Sequence, residues 1–211
     1  MENAHYFLHV TDTHLCFDAE APDTCCTEQA LRSLYQTAFA WDHRPAFVLI
    51  TGDLVHEGTS ADYARAKTLL QELDEQYHTK TYPALGNHDI RKDFNSAFRG
   101  LASDQPLDYC VQTEWLRWIV LDSSCGQVIG QLSGSQLAWL EQELCDPTDC
   151  PTILALHHPV YGTTTAETDA NNLATPDRLI RLLQDHPVDG ILCGHSHEAT
   201  LVTEQGLPPP F

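Results

Sequence analysis

The stretch AFVLITGDL, residues 46–54, runs six uncharged residues straight into Gly52 and Asp53. An apolar run this short, bounded by Pro45 and Gly52, reads as a buried strand that delivers a carboxylate to its C-terminal end. Four other segments repeat the arrangement. HYFLHVT leads to Asp12 and His14, and TYPAL to Gly86, Asn87, His88 and Asp89. PTILAL leads to His157 and His158, and DGILC to Gly194, His195 and His197. Five strands thus end in side chains able to ligate a metal.

Between those strands the apolar residues recur at helical spacing, over about Thr27 to Trp41 and again from near Ser60 to Tyr77. DYCVQT and LRWIVLD, either side of Glu114, read as an antiparallel hairpin, and residues 91–103 as a short helix and a loop. Ser133 with Gln136 three residues on is a capping box opening the helix LAWLEQEL, and Thr175-Pro176 suits the start of a helix ending near His186. A last strand pair is expected to flank His195. Pro159 to Thr175 has no periodicity, and a long loop beside a site is a place for function; Tyr161, Asn171 and Asn172 are its candidates for touching a base or sugar. Alternating strands and helices give an α/β fold with strand ends gathered at one rim.

Length and charge narrow the classes of function. The chain has 211 residues and 42% hydrophobic content, enough for one well-buried domain over 1–211. Its formal charge of −19 repels polyphosphate backbones and anionic lipid, which argues against nucleic-acid and membrane partners. MENAHYFLHV has no basic segment leading into a long apolar run, and nothing approaches the roughly 18 apolar residues of a membrane span, so the expected compartment is the cytoplasm. Eight cysteines are unusual there, but no C-x-x-C pair exists, and reduced thiols are expected.

The donor types at the rim carry the chemistry. Asp, His and Asn without cysteine make a mixed oxygen and nitrogen set, suited to Mn, Fe, Co or Zn rather than to all-oxygen Mg or Ca. Seven ligands are too many for one ion with an open position, and two ions sharing a carboxylate fit the count. Any one of these residues alone reads more simply as a buried histidine or a turn aspartate. The set does not: six of the twelve histidines fall in four short clusters at strand ends, leaving the other six scattered.

Together Asp12-x-His14, Gly52-Asp53, Gly86-Asn87-His88-Asp89, His157 and Gly194-His195-x-His197 resemble the five blocks of the calcineurin-like metallophosphoesterase family. The DTHL opening, LDSS at 121–124, QLSGSQLAWLEQEL, HHP at 157–159 and CGHSH at 193–197 are most similar to the bacterial class III cyclic-nucleotide phosphodiesterases. The resemblance implies a four-layer αββα sandwich of two mixed sheets with outer helices. It implies a dinuclear phosphodiesterase of a small diester, foremost a 3′,5′-cyclic nucleotide such as cyclic AMP. The rivals are a general phosphodiesterase or phosphomonoesterase, or an inactive scaffold. Two divalent or mixed-valence ions are implied, Fe or Mn first and Zn or Co next, with a shared water made acidic enough to attack as hydroxide.

By the same resemblance Asp12, His14 and His197 would hold one ion, Asn87, His157 and His195 the other, and Asp53 would bridge them. His157 or His158 is open from the residues alone, and the family pattern favours His157. His88 would face the phosphoryl group as the catalytic histidine, with Asn87 and His88 near the substrate. From its position one residue past GNHD, Arg91 is a candidate for a phosphate oxygen or simply an arginine opening a helix. In the phosphatase branch an acid three residues after the bridging aspartate orients that histidine; His56 stands there, leaving Glu57 or Asp89 to substitute. The family also continues well past its last histidine block, so shortened C-terminal strands are expected. Three accounts stand: a shortened variant, an edge closed by pairing with a second copy as a homodimer, or a fragment.

Overall fold

The computed structural model describes residues 5–17, 27–160 and 172–201. Cys25, Cys26, Tyr161, Asn171 and the closing proline run lie outside the described residues. In chain order the elements are β1 (Leu8–Val10), α1 (Thr27–Ala38), β2 (Val48–Thr51), α2 (Ser60–Tyr77), β3 (Thr81–Ala84) and the single turn α3 (Arg91–Phe94). A π-type turn over Asn95–Arg99 follows, then β4 (Tyr109–Gln112), β5 (Arg117–Leu121), α4 (Gly134–Cys145), β6 (Thr152–Leu156), α5 (Pro176–Asp185) and β7 (Gly190–Leu192).

Two sheets form, ordered β1-β2-β3 and β4-β5-β6-β7. The first is parallel throughout the described residues, and the mixed character lies in the second, where β4 runs antiparallel to β5. Side chains of successive strand residues point to opposite faces, and here both faces are covered, which is why the central strands read as unbroken apolar runs. Along β2, Val48 and Ile50 pack with Leu31, Tyr35, Leu69, Leu70 and Leu73 of α1 and α2. Leu49 turns the other way, into a core shared with Ala84, Trp118, Val120, Ile153 and Ala155. Ile119, Leu121, Leu154 and Leu156 then face Leu137, Leu140, Leu179 and Leu183 on α4 and α5. Three cores between four layers make the αββα sandwich.

The sheets are fastened at Trp118, whose ring stacks on Phe47 at 4.1 Å between centroids and meets Tyr82 edge-on at 4.9 Å. Tyr109 adds a cross-link by donating from its hydroxyl to the Pro83 carbonyl at 2.9 Å.

The sequence places α2 over the span the structure shows, and the Ser133–Gln136 capping box forms as read. Helix α1 ends at Ala38, short of Trp41, in a turn that leads to Arg44 and Pro45. The 91–103 segment tightens around Asn95, which is buried and donates its amide to the Ser103 and Gln105 carbonyls. Of the strand pair expected around His195, only β7 lies among the described residues. The six described cysteines are all unpaired. No helix among the described residues is long and apolar enough to cross a membrane.

Because Trp118 fills the space between the sheets, Trp118→Ala is expected to cost about 3–5 kcal/mol of stability. Urea unfolding followed by circular dichroism checks this; a loss below about 1 kcal/mol would mean that the sheets are not held there.

Candidate metal centre

Parallel strands β1 and β2, β2 and β3, and β6 and β7 all end at one rim, so their following residues converge. The chain keeps pairing briefly past the strands: the N–H groups of Asp12, His14 and Leu15 donate to the carbonyls of Gly52, Asp53 and Leu54. The turns there are sharp. Asp12, His14, Asp53, His195 and His197 all have positive φ, between 39° and 73°. Non-glycine residues rarely adopt that region, at about 1–3 kcal/mol each, and such residues gather where geometry is enforced for function. Gly194 is required by close approach, since a Cβ there would collide with Thr11 Oγ1 and Asp12 Oδ2.

Asp53 sits at the middle, 1% exposed. Its Oδ1 accepts the His88 backbone N–H at 2.9 Å, and its Oδ2 lies 3.5 Å from His14 Nε2 and 3.4 Å from His157 Nε2. On one side His14 Nε2 is 3.3 Å from His197 Nε2, which is 3.3 Å from Asp12 Oδ1. On the other, Asn87 Oδ1, His157 Nε2 and His195 Nδ1 form a triangle with edges of 3.1, 3.2 and 2.9 Å. Donors about 2.1 Å from a first-row ion stand about 3.0–3.4 Å apart at neighbouring corners of a tetrahedron or octahedron. The observed separations match that spacing. A face of two imidazole nitrogens and an amide oxygen, with too few protons to join every pair, fits a cation better than a hydrogen-bond cluster.

The second ring atoms are also committed, which fixes which nitrogen turns inward. His157 Nδ1 bonds the Thr51 carbonyl at 2.9 Å, and His14 Nδ1 faces His56 Nδ1 at 3.2 Å. Burial holds His14 below its ordinary value against the opposing pull of Asp53, favouring the neutral form that binds metal. Burial would raise Asp53, but the hydrogen bond and charge of His157 and the His88 N–H outweigh it and hold the carboxyl well below the carboxylate range.

His158 belongs to the scaffold. Its Nδ1 bonds Ser123 Oγ at 2.8 Å and its Nε2 the Val128 carbonyl at 3.1 Å, while burial pushes it down to about 3. Although it lies within reach of His157 and His195, both of its nitrogens are occupied. Ser123, in the LDSS stretch, is there to hold this ring.

Arg91 is held by its neighbours. Its Nε pairs with the buried Asp122 at 2.8 Å and its guanidinium also reaches the Ser124 carbonyl, so it ties α3 to the end of β5. Asp89 is likewise taken. Its carboxylate accepts the Leu54, Val55 and Gly86 N–H groups and the Tyr63 hydroxyl, locking the loops after β2 and β3 together. Glu57 is left as the acid beside His88, with Oε1 3.7 Å from Nδ1. Nothing in the sequence separated Asp89 from Glu57 for this position. Asn172 is buried, its carbonyl accepting the Gly130 N–H. An open groove of about 800 Å³ borders the Asp12 and His197 side, lined also by His9, Thr11 and Cys193.

The chain has relatives among known proteins. The calcineurin-like phosphoesterase family matches residues 5–199. A probable cyclic nucleotide phosphodiesterase of Rhodococcus erythropolis is 35% identical over 97% of this chain and 68% of its own length. A cAMP/cGMP dual specificity phosphodiesterase of Mycobacterium tuberculosis is 34% identical over 95% of this chain and 64% of its own. The chain thus spans about two thirds of these curated relatives. Among solved structures, a dimetal phosphatase from Danio rerio superposes with a TM-score of 0.76 at 15% identity, covering 97% of this chain and 85% of that one, a likeness of fold.

If His157 alone of the adjacent pair faces a cation, metal counting after Mn loading separates them. His157→Ala is expected to lose bound ion, and His158→Ala to keep the full complement while melting at lower temperature. Loss from His158→Ala with retention by His157→Ala would reverse the assignment.

Proposed function

The chain belongs to the calcineurin-like phosphoesterase family, whose dimetal members use two metal ions, and from that premise we propose that it hydrolyses a small phosphodiester, a 3′,5′-cyclic nucleotide such as cyclic AMP foremost. The observation that carries the reading is the buried carboxylate of Asp53 lying between two sets of donors. Asp12, His14 and His197 would hold one ion and Asn87, His157 and His195 the other, with Asp53 between. The mixed oxygen and nitrogen donors favour Fe or Mn, then Zn or Co. When bound, such ions make an attacking water acidic and neutralise charge on a phosphoryl group.

The chain's own residues supply position and proton traffic. Asp53 Oδ1, by accepting the His88 N–H, fixes the backbone that carries the His88 ring at the edge of the centre. That ring is partly exposed, with Glu57 at 3.7 Å on its Nδ1 side. It can therefore meet a bound phosphoryl group from outside the donor set and protonate the departing oxygen. Asp89 ties the loops of Asp53 and His88 together through their backbone N–H groups. The adjoining groove has room for a nucleotide, within the roughly 300–1,000 Å³ of small-molecule sites. A charge of −19 favours a small diester over a polyanion, and curated relatives named as cyclic nucleotide phosphodiesterases support the leading substrate.

The test is turnover of cyclic AMP, cyclic GMP, a linear diester and a phosphomonoester by the Mn-reconstituted chain. Cyclic nucleotide turnover is expected, abolished in Asp53→Asn and lowered about 10²–10⁴-fold in His88→Ala with bound metal unchanged. Preference for the monoester would overturn the substrate reading, and loss of metal from His88→Ala would make that residue a ligand.

A further inference from the structure

Beside the centre lies a second group of nitrogen donors, of which the proposed reaction uses only His14 as a ligand. His14, His56 and His88 each bring a ring nitrogen within 4.8 Å of the others. The rings interlock: His56 stacks on His88 at 4.9 Å and 22°, and His14 stands edge-on to both, at 65° and 79°. The His14 and His56 Nδ1 atoms are 3.2 Å apart, within the donor spacing that marks the main centre. A hydrogen bond between those two rings would explain that distance alone. It does not explain His88, whose Nδ1 is shut off from solvent and has no hydrogen-bond partner. Nor does it explain the Glu57 carboxylate, which overhangs that nitrogen at 3.7 Å, too far for a hydrogen bond. A buried ring nitrogen without a hydrogen-bond partner, two further imidazoles and a carboxylate within reach make an unfinished coordination sphere.

We propose that His56, His88 and Glu57, beside His14, form a third cation site, selective for a nitrogen-preferring dication such as Zn²⁺, and that filling it shuts the neighbouring centre. His56 and His88 donate as neutral imidazoles and Glu57 as a carboxylate, with the His14 ring bordering the same position. Capture of His88 removes the group proposed to protonate the leaving oxygen, so a scarce ion acts as a brake without displacing the working pair. Mg²⁺ and Ca²⁺, which need oxygen donors, do not fit. The inhibitory half rests on the reading of His88 given above; the binding half does not.

The experiment adds Zn²⁺ to the Mn-loaded chain, with exposed thiols such as Cys125 and Cys145 alkylated beforehand, and counts both metals per chain after dialysis. The expected result is one Zn²⁺ bound with Mn retained, and cyclic AMP turnover reduced about 10²-fold or more. His56→Gln keeps an acceptor for the His14 ring but offers a weak ligand. It is expected to retain its Mn, bind no additional Zn²⁺ and resist the inhibition. Zn²⁺ replacing Mn one for one, or binding and inhibition unchanged in His56→Gln, overturns the proposal. Should the chain hydrolyse none of the phosphoesters, the metal counts still decide whether the site exists, so its failure is distinct from failure of the functional reading.

Discussion

A buried carboxylate with no cation of its own beside it is costly, and the structure around Asp53 is the answer to that cost. One of its oxygens is satisfied by the His88 backbone; the other faces two imidazoles at distances suited to a shared ion. Every other feature of the rim follows from holding that group still. Thr51 fixes His157, Thr11 donates to Asp12 at 2.6 Å, and Asp89 binds the two flanking loops through their backbone N–H groups. Left-handed backbone at five of the seven proposed donors is the conformational strain of bending the chain inward so soon after a strand.

The layers explain why that strain can be borne. Strands β2, β5 and β6 are buried on both faces, so their register cannot slip without moving side chains such as Leu49 and Trp118 from one core into another. Rigid strands deliver their ends to fixed positions, and the loops need only be short. Arg91 and Asp122 perform a related task between the halves, tying the turn after β3 to the end of β5.

This division sets what could be read from sequence. Apolar runs ending in Asp, Asn or His disclosed the strands and their rim, because burial on two faces and a change to polar donors leave a pattern in one dimension. Helical spacing disclosed α2 and the capping box of α4 for the same reason. Choices among neighbours did not show. His157 differs from His158, and Glu57 from Asp89, in the partners each side chain meets in three dimensions, and residues of the same or similar type carry no signal for that. The pairing of Arg91 with Asp122, 31 positions away in sequence, left no local pattern either. The approach of His56 to His14 spans 42 positions and was equally hidden.

The central claim is that two cations share the Asp53 carboxylate. Anomalous diffraction at the manganese edge, from crystals of the Mn-loaded chain, tests it without reference to any substrate. Two peaks flanking Asp53 Oδ2, separated by about 3.5–4 Å, are the outcome expected of a shared carboxylate. A single peak, or a pair centred away from Asp53, would contradict the account.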